Sequence, residues 1–174
     1  MAALPHLTVA CILKKYTNTS ISLFGLIASA YLSDILAFFL SVFRLDSILY
    51  QNTLLDGSFW NHGLFMVMLI SILLSVIYFI ISKKKDDSLI VFLTILSHWL
   101  IDFITWPLGC IWTNAPGLMV YWNNNIRVGF GLYNNKTAMI ITEALSLVMS
   151  LLFIISMSKK RKQYRLKKAK QVTF

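Results

Sequence analysis

Two residues that could do chemistry, His98 and Asp102, are four positions apart in an apolar stretch, LTILSHWLIDFITWP, at positions 93–107. Four residues make about one helical turn, so in a helix both side chains leave the same face. Both side chains are energetically unfavourable in the hydrocarbon core of a bilayer. On insertion scales, an Asp at mid-bilayer costs roughly 2.5–3.5 kcal/mol. The pair therefore predicts polar partners or a cation that offsets this cost.

The composition predicts that the helix carrying this pair crosses a membrane. Of the 174 residues, 57% are hydrophobic and only 13% are charged, which is too apolar for an ordinary soluble domain. Because a spanning helix needs about 20 apolar residues, four segments qualify: 21–43, 63–82, 88–106 and 138–157. We therefore predict an all-α, multi-pass transmembrane bundle over residues 1–158, followed by a basic tail at 159–174.

Three other segments complete the predicted architecture. Residues 6–16 form a helix too short to span a bilayer, which lies either half-way into the membrane or flat in its interface. The segment KKKDD at 83–87 is a tight turn between two spans. The connection at 107–137 is rich in Gly, Asn, Trp and Tyr, and we expect it to form a polar cap on the outer side.

The basic residues predict the orientation of the chain. Thirteen of the 16 Lys and Arg residues lie in the N-terminal segment, the 83–87 turn and the C-terminal tail. By the positive-inside rule both termini are cytoplasmic. Clusters between apolar runs favour contact with membrane lipids over nucleic acid, so lipids are the predicted partners. No oligomeric state follows from the sequence.

The predicted topology places the ionisable groups of the spans at the middle or in the outer half of the membrane, at about 1.5 Å per residue. His62 lies at the outer boundary, Asp102 and His98 lie one and two turns inside, Glu143 lies at a similar depth, and Asp34 lies near the middle. No Lys or Arg occurs within the four spans. Carboxylates and imidazoles without a basic partner are typical of a divalent metal site.

Each of these residues also has a purely structural interpretation. An intramembrane His such as His62 often bonds one helix to another, and Ser33 or the backbone could satisfy Asp34. Glu143 could be a shallow carboxylate favoured by a helix dipole. His6 reaches the level of Asp34 only if the short helix is re-entrant, which lifts it ~15 Å above the inner face.

In their order, these residues resemble those of small bacterial proteins grouped as membrane-bound metal-dependent hydrolases. The matching features are an early His, a small-residue helix ending in Asp, a His opening a span and a Ser-His-x-x-x-Asp span. Their counterparts here are His6, GLIASAYLSD ending at Asp34, WNHGL with His62, SHWLIDF with His98 and Asp102, and RVGFGLYNN at 127–135. The sequence departs from the family pattern at Ser33, where Pro is usual, and after Asp102, where TWPL replaces a polar stretch.

The resemblance implies a divalent metal, with Zn²⁺ as the expected ion, held by His6, Asp34, His62, His98 and Asp102. A carboxylate outside the ligand set, Asp34 or Glu143, is then the expected general base. The depth of the site favours hydrolysis of a lipid-phase ester or phosphoester. Two alternatives stay open on the sequence: a small transporter or proton-linked protein, and a non-catalytic assembly factor whose polar groups hold the bundle together.

Overall fold

The computed structural model describes residues 3–43, 62–105, 118–119 and 127–172. Six α-helices dominate these residues, and the predicted all-α class is confirmed. In chain order they are α1 (Ala3–Tyr16), α2 (Leu23–Ala30), α3 (Leu32–Val42), α4 (Leu64–Ser82), α5 (Lys85–Thr105) and α6 (Lys136–Val172). Two-residue strands, Leu118–Met119 and Arg127–Val128, pair antiparallel, and a 3₁₀ turn at Leu132–Asn134 precedes α6.

Three segments are long and apolar enough to cross a membrane: α4, α5 and the Lys136–Lys160 part of α6. A fourth span is present if α2 and α3 cross together as a bent pair. Large apolar side chains point outwards along these helices, for example Leu73 at 54% and Ile80 at 57% exposure. Outward-facing apolar surface of this kind suits lipid, so the chain has the construction of an integral membrane protein.

The first predicted span, 21–43, is not one continuous helix. Ser22 caps α2 by accepting a hydrogen bond from the Gly25 N–H at 3.0 Å, and the helix ends at Ala30. After Tyr31 the chain turns by 58° into α3. Asp34 consequently lies in the first turn of α3, where unpaired N–H groups and the helix dipole favour a carboxylate.

The predicted 83–87 turn is shorter than expected, because α5 already begins at Lys85. Lys83 adopts a left-handed conformation (φ 57°) and closes α4 by donating its N–H to the Phe79 carbonyl at 2.8 Å. The last helix begins at Lys136 and runs on to Val172, so the basic tail is a continuation of the last span. Most of the predicted cap at 107–137 lies outside the described residues.

The short N-terminal helix α1 packs inside the bundle, against α2, α5 and α6. Ala10 and Cys11 on α1 are fully buried. The Thr8 hydroxyl lies 3.0 Å from the Ser146 carbonyl and 2.9 Å from the Ser150 hydroxyl on α6. Of the two placements left open by the sequence, a helix inserted among the others is the one that agrees with these contacts.

The connection from α1 to α2 is tied to α5 at one end of the bundle. Asp87, only 4% exposed, accepts hydrogen bonds from the Thr19 hydroxyl at 2.6 Å, from the Ser20 N–H at 3.1 Å and from the Ser20 hydroxyl. Lys84 donates to the Ser20 hydroxyl and Lys14 to the Thr19 carbonyl, both at 3.0 Å. Lysines from separate clusters of the sequence therefore meet at the same end, which we call the basic end.

Candidate metal centre

The five residues predicted as metal ligands lie close together. His6 comes from α1, Asp34 from α3, His62 from the turn before α4, and His98 and Asp102 from α5. They form two overlapping groups of three, in each of which one ligand atom per residue lies within 4.8 Å of the others. The groups are His6, Asp34 and His98, and His62, His98 and Asp102. Whether they bind a metal stays a prediction.

His98 belongs to both groups, and its orientation is set by the backbone. Its Nδ1 donates a hydrogen bond to the Ala30 carbonyl at 2.7 Å, because a carbonyl oxygen can only accept. Ala30 is the last residue of α2, where helix carbonyls lack an intrahelical partner. A neutral His98 then carries its lone pair on Nε2, an atom that is buried and has no hydrogen-bond partner in the described part of the chain.

This lone pair faces negative charge. Nε2 of His98 lies 3.2 Å from Asp102 Oδ2 and 4.0 Å from Asp34 Oδ1. Asp102 is 1% exposed, and its Oδ1, 3.4 Å from His6 Nε2, lacks a hydrogen-bond partner among the described residues. A lone pair and carboxylate oxygens repel one another, so a positive charge between them, either a proton on Nε2 or a bound cation, stabilises the arrangement.

The other two imidazoles close the cluster. The ring of His6 lies flat against that of His98, with centroids 4.1 Å apart and planes 9° apart, and Tyr31 meets the His6 ring edge-on at 5.7 Å. His62 Nε2 lies 3.0 Å from Asp34 Oδ1 and donates to that carboxylate. Two stacked imidazolium ions would repel each other, so protonation of His6 and His98 together is a poor source of the missing charge.

The cluster therefore combines two carboxylates and three imidazoles with no ion pair to Lys or Arg among the residues that the structure describes. Nitrogen and oxygen donors of this type are those that Zn²⁺ and similar ions bind. The unpaired Nε2 of His98 and Oδ1 of Asp102 are positions at which a bound cation would supply the missing partner. The residues present thus fit a divalent transition metal.

Glu143, predicted as a possible general base, lies outside both groups. Its Oε2 accepts the Leu4 N–H at 2.9 Å, and its Oε1 accepts the Tyr133 hydroxyl at 2.7 Å. Leu4 is in the first turn of α1, two residues before His6. Because both oxygens are bonded elsewhere, the geometry favours a positioning role in which Glu143 fixes the start of α1 and so the level of His6.

Tyr133 was not predicted to take part. It is 7% exposed, in the 3₁₀ turn before α6, and this turn follows Gly131, whose φ of 65° favours glycine. Burial and the hydrogen bond to Glu143 raise the pKa of the Tyr133 phenol above its ordinary value. The only sequence signal for Tyr133 was its place in the RVGFGLYNN segment. That segment does not indicate which residue Tyr133 contacts.

Comparison of the chain with models of protein families, with curated proteins and with solved structures gives no match.

Proposed function

We propose that this chain is an integral membrane metalloprotein that holds a divalent metal ion, with Zn²⁺ the expected one, between α1, α3, α5 and His62. We further propose that it hydrolyses an ester or phosphoester in the lipid phase, as the resemblance to membrane-bound metal-dependent hydrolases implies. One observation carries the proposal: the buried His98 Nε2 faces Asp102 and Asp34, and neither carboxylate is paired with a Lys or Arg in the described chain.

The donor set also supports a catalytic role. A catalytic zinc site uses three protein ligands and leaves a position open, and five candidate donors are more than such a site needs. When bound, such an ion polarises the bond to be cleaved and lowers the pKa of water to about 7. Of the two carboxylates, Asp34 is the one that water and substrate can reach, because its side chain is 22% exposed whereas that of Asp102 is 2% exposed.

The exposed edge of the cluster favours an apolar substrate. Asp34 is its most accessible member, and on the same helix Ile35 and Phe38 are 37% and 65% exposed. A substrate reaching Asp34 along α3 therefore passes apolar side chains. This agrees with a lipid-phase ester. The resemblance further implies a bacterial inner membrane, and the clustering of Lys and Arg predicts that both termini are cytoplasmic.

A structural metal centre is the second candidate. Four of the five donor side chains, those of His6, His62, His98 and Asp102, are only 1–2% exposed. A closed site of this kind suits an ion that holds α1 and α5 together without turnover. In that case the protein is an assembly or scaffold factor of the membrane, and metal binding raises its stability only.

Elemental analysis of the purified protein tests the metal proposal. Full-length protein is extracted in detergent without chelator from cells grown with added Zn²⁺. We expect about one or two ions per chain for the natural sequence, and none for His98→Ala. The matched control is Ser97→Ala on the same helix, since the Ser97 hydroxyl donates at 2.7 Å only to the Thr94 carbonyl of its own helix. Metal-free natural protein would overturn the proposal.

A turnover assay separates the two candidates. Metal-loaded protein is offered ester and phosphoester lipids in mixed micelles, and product release is followed with and without chelator. Hydrolysis that chelator stops, and that Asp34→Asn reduces when the rate is expressed per bound metal ion, supports the hydrolase. A bound metal that raises Tm with no hydrolysis of any lipid supports the structural centre.

A further inference from the structure

A cleft of about 370 Å³ opens at the basic end, away from the candidate metal centre. Its walls come from the end of α1, the start of α2 and the middle of α6. Three lysines and three apolar side chains define it: Lys14, Lys15, Lys160, Leu23, Ile154 and Met157. Lys14 lies eight residues along α1 from His6, about 12 Å at the rise of a helix, so the cleft and the cluster occupy different levels of the bundle.

Two of the lysines are held in place by neighbouring groups. Lys14 donates to the carbonyls of Thr19 and Ile21 at 3.0 and 2.7 Å. The ammonium group of Lys15 lies 4.7 Å from the centre of the Phe153 ring, a cation–π distance. Neutral carbonyls and an aromatic ring position these charges without neutralising them.

The charge of the cleft is uncompensated. Within the described residues, no ion pair is formed by Lys14, Lys15 or Lys160. Three ammonium groups around one cleft repel one another unless an anion lies among them. The ligand that complements them therefore carries negative charge.

The apolar walls indicate which kind of anion it is. On α6, Ile154 is followed towards the middle of the span by Leu151 and Leu147, which share its face at helical spacing and are 50% and 42% exposed. The cleft thus leads from charged side chains directly onto an apolar, outward-facing stripe. An amphipathic molecule with an anionic head and an acyl chain matches both parts.

We propose that this cleft binds the phosphate headgroup of an anionic phospholipid, with one acyl chain lying along the Ile154 face of α6. Lys15 and Lys160 contact the phosphate, and Lys14 supplies charge while bracing the α1–α2 connection. The site anchors α1 to α6 at the membrane surface, independently of any metal.

Native mass spectrometry of the full-length protein in detergent tests this site. Phosphatidylglycerol and phosphatidylcholine with the same acyl chains are titrated separately. The double variant Lys15→Gln, Lys160→Gln is compared with Lys159→Gln, Lys162→Gln, which removes the same charge from exposed positions of α6 that do not line the cleft. Lys14 is left intact, because its hydrogen bonds hold the backbone.

We expect phosphatidylglycerol to bind at least ~10-fold more tightly than phosphatidylcholine, and the Lys15, Lys160 variant to lose about 25-fold of this affinity, at roughly 5-fold per lysine. The Lys159, Lys162 variant should lose less than about 3-fold. In the absence of added lipid, the Lys15, Lys160 variant should have the slightly lower Tm, because Lys15→Gln removes the contact with the Phe153 ring. An equal loss of phosphatidylglycerol affinity in both variants would show that the lipid is attracted by the overall positive charge of the basic end. That result would overturn the proposed site. Displacement of the lipid by millimolar inorganic phosphate would identify free phosphate as the ligand and overturn the lipid assignment.

Discussion

His98 donates a hydrogen bond from Nδ1 to the carbonyl oxygen of Ala30 at 2.7 Å. This bond joins the candidate metal centre to the break between α2 and α3, because Ala30 is the residue at which α2 ends. It fixes the ring so that Nε2 faces Asp102 and Asp34. Hydrogen bonds of this kind, from the second nitrogen of a His to a backbone carbonyl, orient metal-binding imidazoles. The bend between α2 and α3 therefore fixes the orientation of His98 on α5.

Asp102→Asn and Asp87→Asn form a matched pair, since both carboxylates are buried on α5, at 1% and 4% exposure. We expect Asp102→Asn to weaken Zn²⁺ binding by more than about 100-fold, beyond the loss expected for a residue that only orients a ligand. In chelator, Asp102→Asn should not lower stability, since the charge it removes has no Lys or Arg partner among the described residues. Isothermal titration and thermal unfolding with and without Zn²⁺ measure both effects.

Asp87→Asn should behave in the opposite way. It should lower the free energy of unfolding by about 1.5–3 kcal/mol, because Thr19 and Ser20 lose a charged acceptor. Its Zn²⁺ affinity should stay within about 2-fold of the natural protein, as Asp87 lies eleven residues, or about 16 Å, from His98 along α5. Loss of metal in Asp87→Asn with retention in Asp102→Asn would contradict the assignment of the site.

Glu143→Gln and Glu143→Ala distinguish positioning from base catalysis. A Gln can still accept the Leu4 N–H and can donate its amide to the Tyr133 oxygen, so α1 should keep its place. We expect metal affinity and any hydrolysis to survive Glu143→Gln, and metal affinity to fall by about 10-fold in Glu143→Ala as His6 loses its support. Hydrolysis abolished by Glu143→Gln at unchanged metal content would show instead that Glu143 is the general base.

The Tyr133–Glu143 hydrogen bond makes stability depend on pH in the alkaline range. Burial and Glu143 raise the pKa of Tyr133 in the folded protein, so the unfolded chain loses this proton first as the pH rises. The protonated Tyr133 hydroxyl therefore contributes fully to the free energy of unfolding below the ordinary tyrosine pKa of about 10. This contribution is lost as the pH rises through the pKa of Tyr133 in the folded protein. Above about pH 10, the natural protein should lose stability more steeply than Tyr133→Phe, in which the bond is absent at all pH values. Thermal unfolding between about pH 8 and 11 measures the difference, and parallel curves would contradict it.

The fold was predictable to the extent that it follows from composition and length. Apolar runs of about 20 residues predict spanning helices, and α4, α5 and α6 overlap those predicted at 63–82, 88–106 and 138–157. The bend at Tyr31 was missed because no Pro or Gly stands there, so periodicity carries no sign of it. The start of α5 was placed three residues too late, because the charges of KKKDD suggest a turn although Asp86 and Asp87 suit a helix N-terminus.

By itself, the sequence determined that the chain is a helical membrane protein and that His98 and Asp102 share a helix face, because hydropathy and the 3.6-residue period are local properties. Only the tertiary structure decided which groups meet there. The packing of α1 brings His6 against the ring of His98, and the end of α2 at Ala30 supplies the carbonyl that orients His98. Glu143 is hydrogen-bonded to Leu4 and Tyr133. Contacts between residues far apart in the chain depend on how helices pack, and a local pattern does not encode that packing.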